Sequence, residues 1–223
     1  IIEDNKGNKY ISIFIFLDEP EIHLHPYMQR SVINDIRNII NNEDKLFLSL
    51  LKKIFNIDGI FGQLFVVTHS PNIISNNFRE IIRLDYDNKK IVKAYSGFNC
   101  GISDKEEKQF LSHNFKIKEA FFAKTCIVVE GQTERVTLPI FANKIGFNFD
   151  GLNIGIIEAD GADSIPTVSR LLSHFGIKNI CIMDKDKYKL EYKNEYENIF
   201  HTEYTFFEED FIRNIIINNR IHI

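Results

Sequence analysis

The sequence has few cysteines, no long apolar run and no excess of positive charge, and each lack excludes a class of protein. Cys100, Cys126 and Cys181 are far apart and lack metal-type spacing, which favours reduced thiols in a cytoplasmic protein. No run approaches the ~18–20 apolar residues of a membrane span, and the first residues do not resemble a signal peptide. The net charge of −4 excludes a uniformly basic nucleic-acid coat but not a local basic groove.

What the sequence does contain fits a globular protein with a sizeable core. It has 223 residues, of which 44% are hydrophobic and 26% charged, enough for one large domain or two small ones. Both ends are apolar, whereas natural domains usually begin and end in exposed polar residues. We therefore expect a chain that is truncated at both ends.

The first half of the chain predicts strands around one long helix. Ile11–Leu17 is continuously apolar, which is typical of a parallel strand buried on both faces. Pro26 opens a helix that runs to about Ile40, and Leu64–Thr68 predicts a second buried strand. The polar stretch between them indicates no clear element. Ile81–Leu84 and Ile91–Tyr95 flank the turn signal Asp87-Asn88 and predict an antiparallel hairpin.

The second half alternates strands with helices, which predicts an α/β fold with a parallel sheet covered on both faces. The predicted strands are Cys126–Val129, Leu152–Glu158 and Ile180–Asp184, and the predicted helices are Thr133–Lys144 and Ser164–Phe175. A short strand near Tyr204–Phe206 and a terminal helix from about Glu208 complete the pattern. The loop after the third strand is rich in Lys, Glu and Tyr. We interpret it as a solvated loop, with contact to a nucleic-acid backbone as the alternative.

Acids follow the strands of both halves, where the carboxyl ends of parallel strands gather functional groups. Asp18 and Glu19 directly follow the first strand, and His69 follows the second. An Asp at such an edge can hold Mg²⁺, a Glu can orient water, and a His can contact a terminal phosphate.

Three strands of the second half also end in acids. Glu130 and Glu134 follow the first of them across a strand-to-helix turn, Asp184 and Asp186 follow the third, and Glu158 with Asp160 follows the second. Carboxylates that converge without Lys or Arg partners repel one another, and divalent cations relieve that repulsion. Two such ions can activate water for phosphodiester cleavage.

The segments IFIFLDEPEIHLHP and VVTHSPNII resemble the Walker B, D-loop and switch-histidine segments of ABC-type ATPases. The resemblance implies that Asp18 binds Mg²⁺, that Glu19 is the catalytic carboxylate and that His69 senses the γ-phosphate. It also implies that Glu21–His25 lies at a dimer interface. The sequence contains no GxxxxGK[ST] motif, so we expect ATP binding only together with a missing amino-terminal part.

The segments VVEGQTE and IMDKD resemble the motifs of Toprim nucleases. The resemblance implies that Glu130 and Glu134 are the first-motif acids and that Asp184 and Asp186 form the DxD pair. Asp160 matches a position that is sometimes a ligand, and Glu208 or Glu209 matches a later Glu of the family. The family also uses a later Lys, but no Lys follows Lys193.

An ABC-type ATPase half followed by a Toprim module resembles the OLD family of ATP-dependent endonucleases. The domains implied are an ATPase part at 1–97, a connector at 98–122 and a Toprim nuclease at 123–223. The resemblance implies a Mg²⁺- or Mn²⁺-dependent DNA endonuclease, regulated by nucleotide, in anti-phage defence or DNA processing. Expected partners are DNA, further copies of the chain through the ATPase half, and a helicase-like protein. Two alternatives stay open: a non-catalytic ATPase or assembly fragment, and a Toprim protein of the topoisomerase or primase type.

Overall fold

The computed structural model describes residues 1–87, 89–101, 103, 115–189, 191–192 and 196–210. These residues belong to two compact units, Ile1–Ile74 and Ser75–Ile223. Turn position Asn88, most of the predicted connector and the terminal helix after Asp210 lie outside the described residues. The predicted domain boundaries at 97 and 122 stay a prediction.

The first unit is a three-stranded sheet with two helices. Its elements are β1 (Ile2–Glu3), β2 (Lys9–Asp18), α1 (Pro26–Ile40), α2 (Lys45–Phe55) and β3 (Gly59–Val67). β1 pairs antiparallel with β2, and β2 pairs parallel with β3 so that Asp18 lies beside Val67. The helix from Pro26 to Ile40 is confirmed. α2 falls in the stretch where the sequence indicated no element, and Asp44 caps it by accepting a hydrogen bond from Phe47 N–H at 2.9 Å.

The expectation that both sheet faces of this unit are buried is wrong for this chain. Residues along β2 and β3 alternate between partly covered and exposed, and Phe14, Phe16 and Phe61 are 59%, 72% and 68% exposed. The opposite face packs against α1, where Ile33 and Ile60 are buried. A continuous apolar run predicts a buried strand, but it does not say which element covers the second face.

The second unit begins with the predicted hairpin, which is confirmed as β4 (Ile82–Tyr86) paired antiparallel with β5 (Val92–Ser96). Arg83, largely buried, donates to the carbonyls of Phe121 and Phe175 at 2.9 and 3.1 Å and pairs with Asp85 at 2.7 Å. The hairpin therefore turns this polar side chain toward the core of the unit. At Gly97, just after β5, an added Cβ would lie 1.9 Å from the Phe78 carbonyl, so only glycine fits there.

The remainder of the second unit is a four-stranded parallel sheet in the order β7-β6-β8-β9. Its elements are α3 (Phe115–Ala120), β6 (Thr125–Val129), α4 (Gln132–Lys144), β7 (Ile154–Glu158), α5 (Ile165–His174), β8 (Lys178–Met183), β9 (Ile199–His201) and α6 (Phe207–Asp210). α5 packs against β6 and β8 through Val168, Leu171 and Leu172, which are fully buried. The alternation of strands and helices is confirmed, and β6 lies between β7 and β8.

Two details of this sheet differ from expectation. The last strand is Ile199–His201, and 204–206 form bends instead of the predicted strand. Thr202, which is buried, donates to the carbonyl of Tyr204 at 2.7 Å and accepts from Lys185 N–H, so this segment bonds locally instead of extending the sheet. The second sheet face is only partly covered among the described residues, since Ile180 is 45% exposed.

None of the helices in the described ranges is long and apolar enough to cross a membrane.

Candidate functional site

The strand order of the second unit brings the predicted acids to one edge of its sheet. β6 leads into Glu130, β7 ends in Glu158 and β8 leads into Asp184, and these three strands are neighbours. The β6–β7 pairing continues past the strands, because Ala159 N–H donates to Val129 and Gly161 N–H donates to Glu130 at 3.0 Å. The sheet therefore places the segments after these strands side by side.

Glu130 has an unusual environment for a carboxylate. Its Oε2 is buried and has no hydrogen-bond partner among the described residues. Burial raises the pKa of Glu130 above its ordinary value of 4.5, and the nearby charges of Asp184 and Asp186 raise it further. A hydrogen bond from the Asp184 backbone N–H lowers this pKa, and the charge of Lys187 lowers it too. The surroundings of Glu130 therefore favour the protonated form of its carboxyl group over the charged form.

Glu134 is 7% exposed and lies in the first turn of α4. Its Oε2 accepts a hydrogen bond from Gly131 N–H at 3.2 Å, which fixes the carboxylate at the helix start. Burial raises its pKa, and the charges of Glu208 and Glu130 add to the effect. Burial of the Glu134 carboxylate therefore costs desolvation free energy, as burial of Glu130 does.

Asp184 links the end of β8 to the start of α6. Its Oδ1 accepts a hydrogen bond from Phe207 N–H at 2.9 Å. Burial raises the pKa of Asp184 against the effect of that bond, and Glu134, Glu208 and Asp186 raise it too. The charge of Glu208 raises the pKa of both Glu134 and Asp184. This shared effect favours Glu208 over Glu209 as the later acid.

The other predicted acids lie further from this group. Asp186 is exposed and its Oδ2 is 3.4 Å from Lys187 Nζ. Asp160 is exposed and has a positive φ of 59°, in the turn whose next residue, Gly161, bonds to Glu130. The expectation that the converging acids lack basic partners is wrong for Asp186, which has Lys187, and for Glu158, because Arg135 Nη1 lies 3.2 Å from its Oε2.

The carboxylate group is then Glu130, Glu134, Asp184 and Glu208, with Asp186 at its edge. As placed, no three His, Cys, Asp or Glu side chains of the described residues already form a metal-binding arrangement. The pKa values of Glu130, Glu134 and Asp184 are nevertheless all raised, first by burial and then by the charges of neighbouring acids in the same group. Such a group can bind a divalent cation through oxygen ligands.

In the first unit, the loops after β2 and β3 carry Asp18, Glu19 and His69. Asp18 is exposed at the strand end, and Glu19 has a positive φ of 45°. His69 Nε2 lies 3.6 Å from Glu19 Oε1, and the His69 side chain is 77% exposed. The structure thus brings Glu19 and His69 together at the carboxyl edge of the parallel strand pair.

Glu21 has a role that the sequence did not indicate. Its two carboxylate oxygens accept hydrogen bonds from Thr68 Oγ1 at 2.8 Å and from His69 N–H at 2.7 Å. Burial raises the pKa of Glu21, but these two bonds outweigh it and hold the pKa below its ordinary value. The expected position of Glu21–His25 at a dimer interface stays a prediction.

Comparison with protein-family models matches both units. Residues 2–74 match the AAA ATPase domain, and residues 121–186 match the TOPRIM domain described as "Overcoming lysogenization defect protein-like". The chain therefore carries an ATPase segment followed by a TOPRIM domain in an α/β fold. The TOPRIM domain is OLD-like, and the resemblance to the OLD family is confirmed.

Curated relatives agree with this assignment. The Old nuclease of Escherichia phage P2 is 25% identical over 214 residues, which cover 91% of this chain and 33% of that protein. Endonuclease GajA of Bacillus cereus is 29% identical over 66% of this chain and 24% of its own length. The OLD nuclease of Thermus scotoductus is 24% identical over 82% of this chain and 33% of its own length. The chain thus spans about a quarter to a third of these relatives.

Among solved structures, the C-terminal region of the Burkholderia pseudomallei OLD protein matches 46% of this chain and 67% of that chain. The identity is 20% and the TM-score is 0.33.

Proposed function

We propose that the second unit contains the cleavage centre of a metal-dependent DNA endonuclease. Glu130, Glu134, Asp184, Asp186 and Glu208 would hold Mg²⁺ or Mn²⁺. The observation that carries the proposal is the crowding of acids after adjacent parallel strands, where burial and repulsion raise three pKa values. The nuclease names of the relatives support DNA as the substrate.

The residues fit a hard divalent cation. Their side chains offer only carboxylate oxygens, which Mg²⁺ and Mn²⁺ prefer. The buried Glu130 Oε2, which lacks a hydrogen-bond partner in the described part of the chain, is an atom that a cation or its water would satisfy. Asp160 stays a proposed ligand on resemblance alone.

A bound cation would supply an activated water and stabilise the leaving oxygen of the phosphodiester. The protein holds the ligands in place beforehand. Gly131 N–H fixes Glu134, and Phe207 N–H fixes Asp184, so neither carboxylate needs to reorganise when substrate arrives. The Asp184 bond also keeps α6 beside β8, which brings Glu208 to the group.

The ATPase segment would regulate this centre through nucleotide. Asp18, Glu19 and His69 are the proposed magnesium, catalytic and γ-phosphate-sensing residues. Phosphate binding would require residues that this sequence does not contain. Assembly of several copies through the ATPase part, a helicase-like partner, and a role in anti-phage defence or DNA processing belong to the same proposal.

Cleavage of supercoiled plasmid tests the proposed centre. With Mn²⁺ the chain should convert supercoiled to nicked plasmid, and Glu130→Gln and Asp184→Asn should each slow the reaction about 100-fold or more. Calorimetric titration with Mn²⁺ alone should show binding that both substitutions weaken. Glu158→Gln is the matched control, because Glu158 follows a neighbouring strand but pairs with Arg135.

Three outcomes would contradict the proposal. Cleavage that survives both substitutions would remove these acids from the site. Folded chain that binds no Mn²⁺ would exclude the metal centre. Relaxed plasmid without nicks would instead favour the topoisomerase-type alternative.

A further inference from the structure

Four aromatic rings follow one another in the part of the chain that comes after Asp184. The ring centroids of His201 and Tyr188 are 4.5 Å apart, those of Tyr188 and Tyr192 are 6.1 Å apart, and those of Tyr192 and Tyr196 are 6.2 Å apart. We call these four residues the ring series. Tyr188, Tyr192 and Tyr196 come from the segment between β8 and β9, and His201 is the last residue of β9, which pairs with β8 in the sheet.

One end of the ring series is tied to the segment that carries Asp184. Tyr188 N–H donates to the Asp184 carbonyl at 3.1 Å, and His201 lies opposite Met183, the last residue of β8, in the strand register. Lys187, the neighbour of Tyr188, is close enough to Glu130 to act on its pKa. A polymer bound at this end of the ring series would therefore lie close to the segment that carries Asp184.

The exposure of these rings separates them from a structural aromatic cluster. In the same unit Phe78, Phe121 and Phe175 also contact one another, and they are 1%, 5% and 0% exposed. The three tyrosines of the ring series are only partly covered and His201 is exposed. A cluster that served only to fill the core would be buried as completely as these phenylalanines.

The charges around the ring series favour contact with bases over contact with phosphates. Lys187 Nζ lies 3.4 Å from Asp186, and Lys189 Nζ lies 3.5 Å from Asp163. Lys185 Nζ donates to the Glu203 carbonyl at 2.8 Å. Because these three lysines already have partners, the described part of the loop offers aromatic surface more readily than unpaired positive charge. Bases of unpaired nucleotides stack on such rings, whereas a duplex keeps its bases covered.

We propose that the ring series binds an unpaired stretch of the DNA substrate by base stacking, beside the carboxylate group. This proposal rests on the proposed endonuclease function and adds the form of the substrate. The enzyme would then engage DNA that is single-stranded, or locally opened, at the point of cleavage.

Binding of a fluorescein-labelled oligothymidine, measured by fluorescence anisotropy in EDTA, tests the proposal without cleavage. The chain should bind this strand more tightly than a duplex of the same length. Tyr192→Ala should weaken single-strand binding about 10-fold, the loss expected for one base–aromatic stack. Tyr192→Phe should keep the affinity, since it keeps the ring. The dependence of affinity on salt should be the same for wild type and Tyr192→Ala, because stacking releases no counterions.

Two further variants keep the test decisive. Tyr192→Leu keeps apolar volume without an aromatic face, so it should lose affinity while its melting temperature stays near that of Tyr192→Phe. Tyr86→Ala removes an exposed tyrosine of the hairpin, outside the ring series, and should bind like wild type. Equal affinity for strand and duplex, or unchanged binding in Tyr192→Leu, would overturn the proposal.

Failure of the substrate proposal and failure of the endonuclease proposal give different results. If Glu130→Gln abolishes nicking while Tyr192→Leu binds the single strand normally, only the ring series is misassigned. If nicking survives the carboxylate substitutions, the endonuclease centre is wrong whatever the tyrosines do.

Discussion

The Glu130 carboxylate is partly buried and is also repelled by neighbouring acids, unlike an ordinary acid on a protein surface. One of its oxygens is buried without a hydrogen-bond partner in the described residues, and neighbouring acids add to the cost of its charge. An acid whose pKa is raised by folding binds its proton more tightly in the native state than in the unfolded state. The native state therefore loses stability as pH rises from the ordinary Glu value of 4.5 through the raised value.

This linkage predicts that Glu130→Gln stabilises the metal-free chain at pH 8. We expect its melting temperature in EDTA to exceed that of wild type by about 2 °C, allowing for solvent screening of a partly exposed carboxyl. The difference should vanish below pH 4, where the wild-type carboxyl is protonated in both states. Mn²⁺ should then raise the melting temperature of wild type more than that of the variant.

Glu158→Gln serves as the comparison for this melting experiment. Its carboxylate pairs with Arg135, so removing the charge should not raise the melting temperature. A Glu130→Gln chain that melts below wild type at pH 8 would contradict the assignment of Glu130 as a destabilising acid.

At the scale of elements, the first unit joins the loops after its two parallel strands through side chains. Glu21, in the loop after β2, accepts bonds from Thr68 and His69, in the loop after β3. Gln29 of α1 reaches the same loop, because Ser70 Oγ donates to Gln29 Oε1 at 2.7 Å. The position of His69 beside Glu19 therefore depends on α1 and on the loop after β2, not on β3 alone.

We predict that Glu21→Ala lowers the free energy of unfolding by about 1 kcal/mol at pH 7, because it removes two charge-assisted hydrogen bonds at a partly exposed site. The folded pKa of Glu21 is lowered, so its contribution is present above the ordinary value of 4.5 and is lost as pH falls through the folded value. Urea unfolding at pH 7 and at pH 3 should show the difference between wild type and variant shrinking in acid.

Glu43→Ala is a matched control for this element, since Glu43 is an exposed acid of the same unit. It should leave the free energy of unfolding within about 0.5 kcal/mol of wild type. Equal unfolding curves for Glu21→Ala and Glu43→Ala at pH 7 would show that the two bonds contribute nothing.

At the scale of the whole molecule, one apolar face of the first unit's sheet is exposed among the residues that the structure describes. Phe16 and Phe65 stack at 4.9 Å on that face and are 72% and 46% exposed. Exposed contiguous aromatic surface promotes association in water. Replacing this aromatic surface should change the solubility of the protein more than its free energy of unfolding.

We therefore predict that Phe16→Ser reduces concentration-dependent light scattering and shifts the free energy of unfolding by only about 0.5 kcal/mol. Ile60→Ala changes the opposite, covered face, where Ile60 is 5% exposed. It should cost about 2–5 kcal/mol without reducing scattering. A loss of stability in Phe16→Ser as large as in Ile60→Ala would show that the Phe16 face is covered in solution.

The elements were predictable where local patterns repeat. The helix from Pro26 to Ile40, the hairpin and the strands of the second unit follow from periodicity and turn residues. α2 was missed although the sequence marks it: the segment KLFLSLLKKIF has its apolar residues at helical spacing and directly follows the cap residue Asp44. The strand expected at Tyr204–Phe206 was displaced to Ile199–His201, because the bonds of Thr202 close a local turn that residue types alone do not reveal.

The candidate sites, like the elements, were predictable from the sequence only in part. Sequence spacing alone determined that Glu130, Asp184 and their neighbours follow apolar strands, and parallel strands present such positions at a common edge. The tertiary structure decided which acids repel one another. It paired Glu158 with Arg135, turned Glu208 toward Glu134 and Asp184, and bound Glu21 to the His69 loop. Electrostatic and hydrogen-bond energies depend on distances of a few ångströms between residues far apart in the chain, and only the folded structure sets those distances.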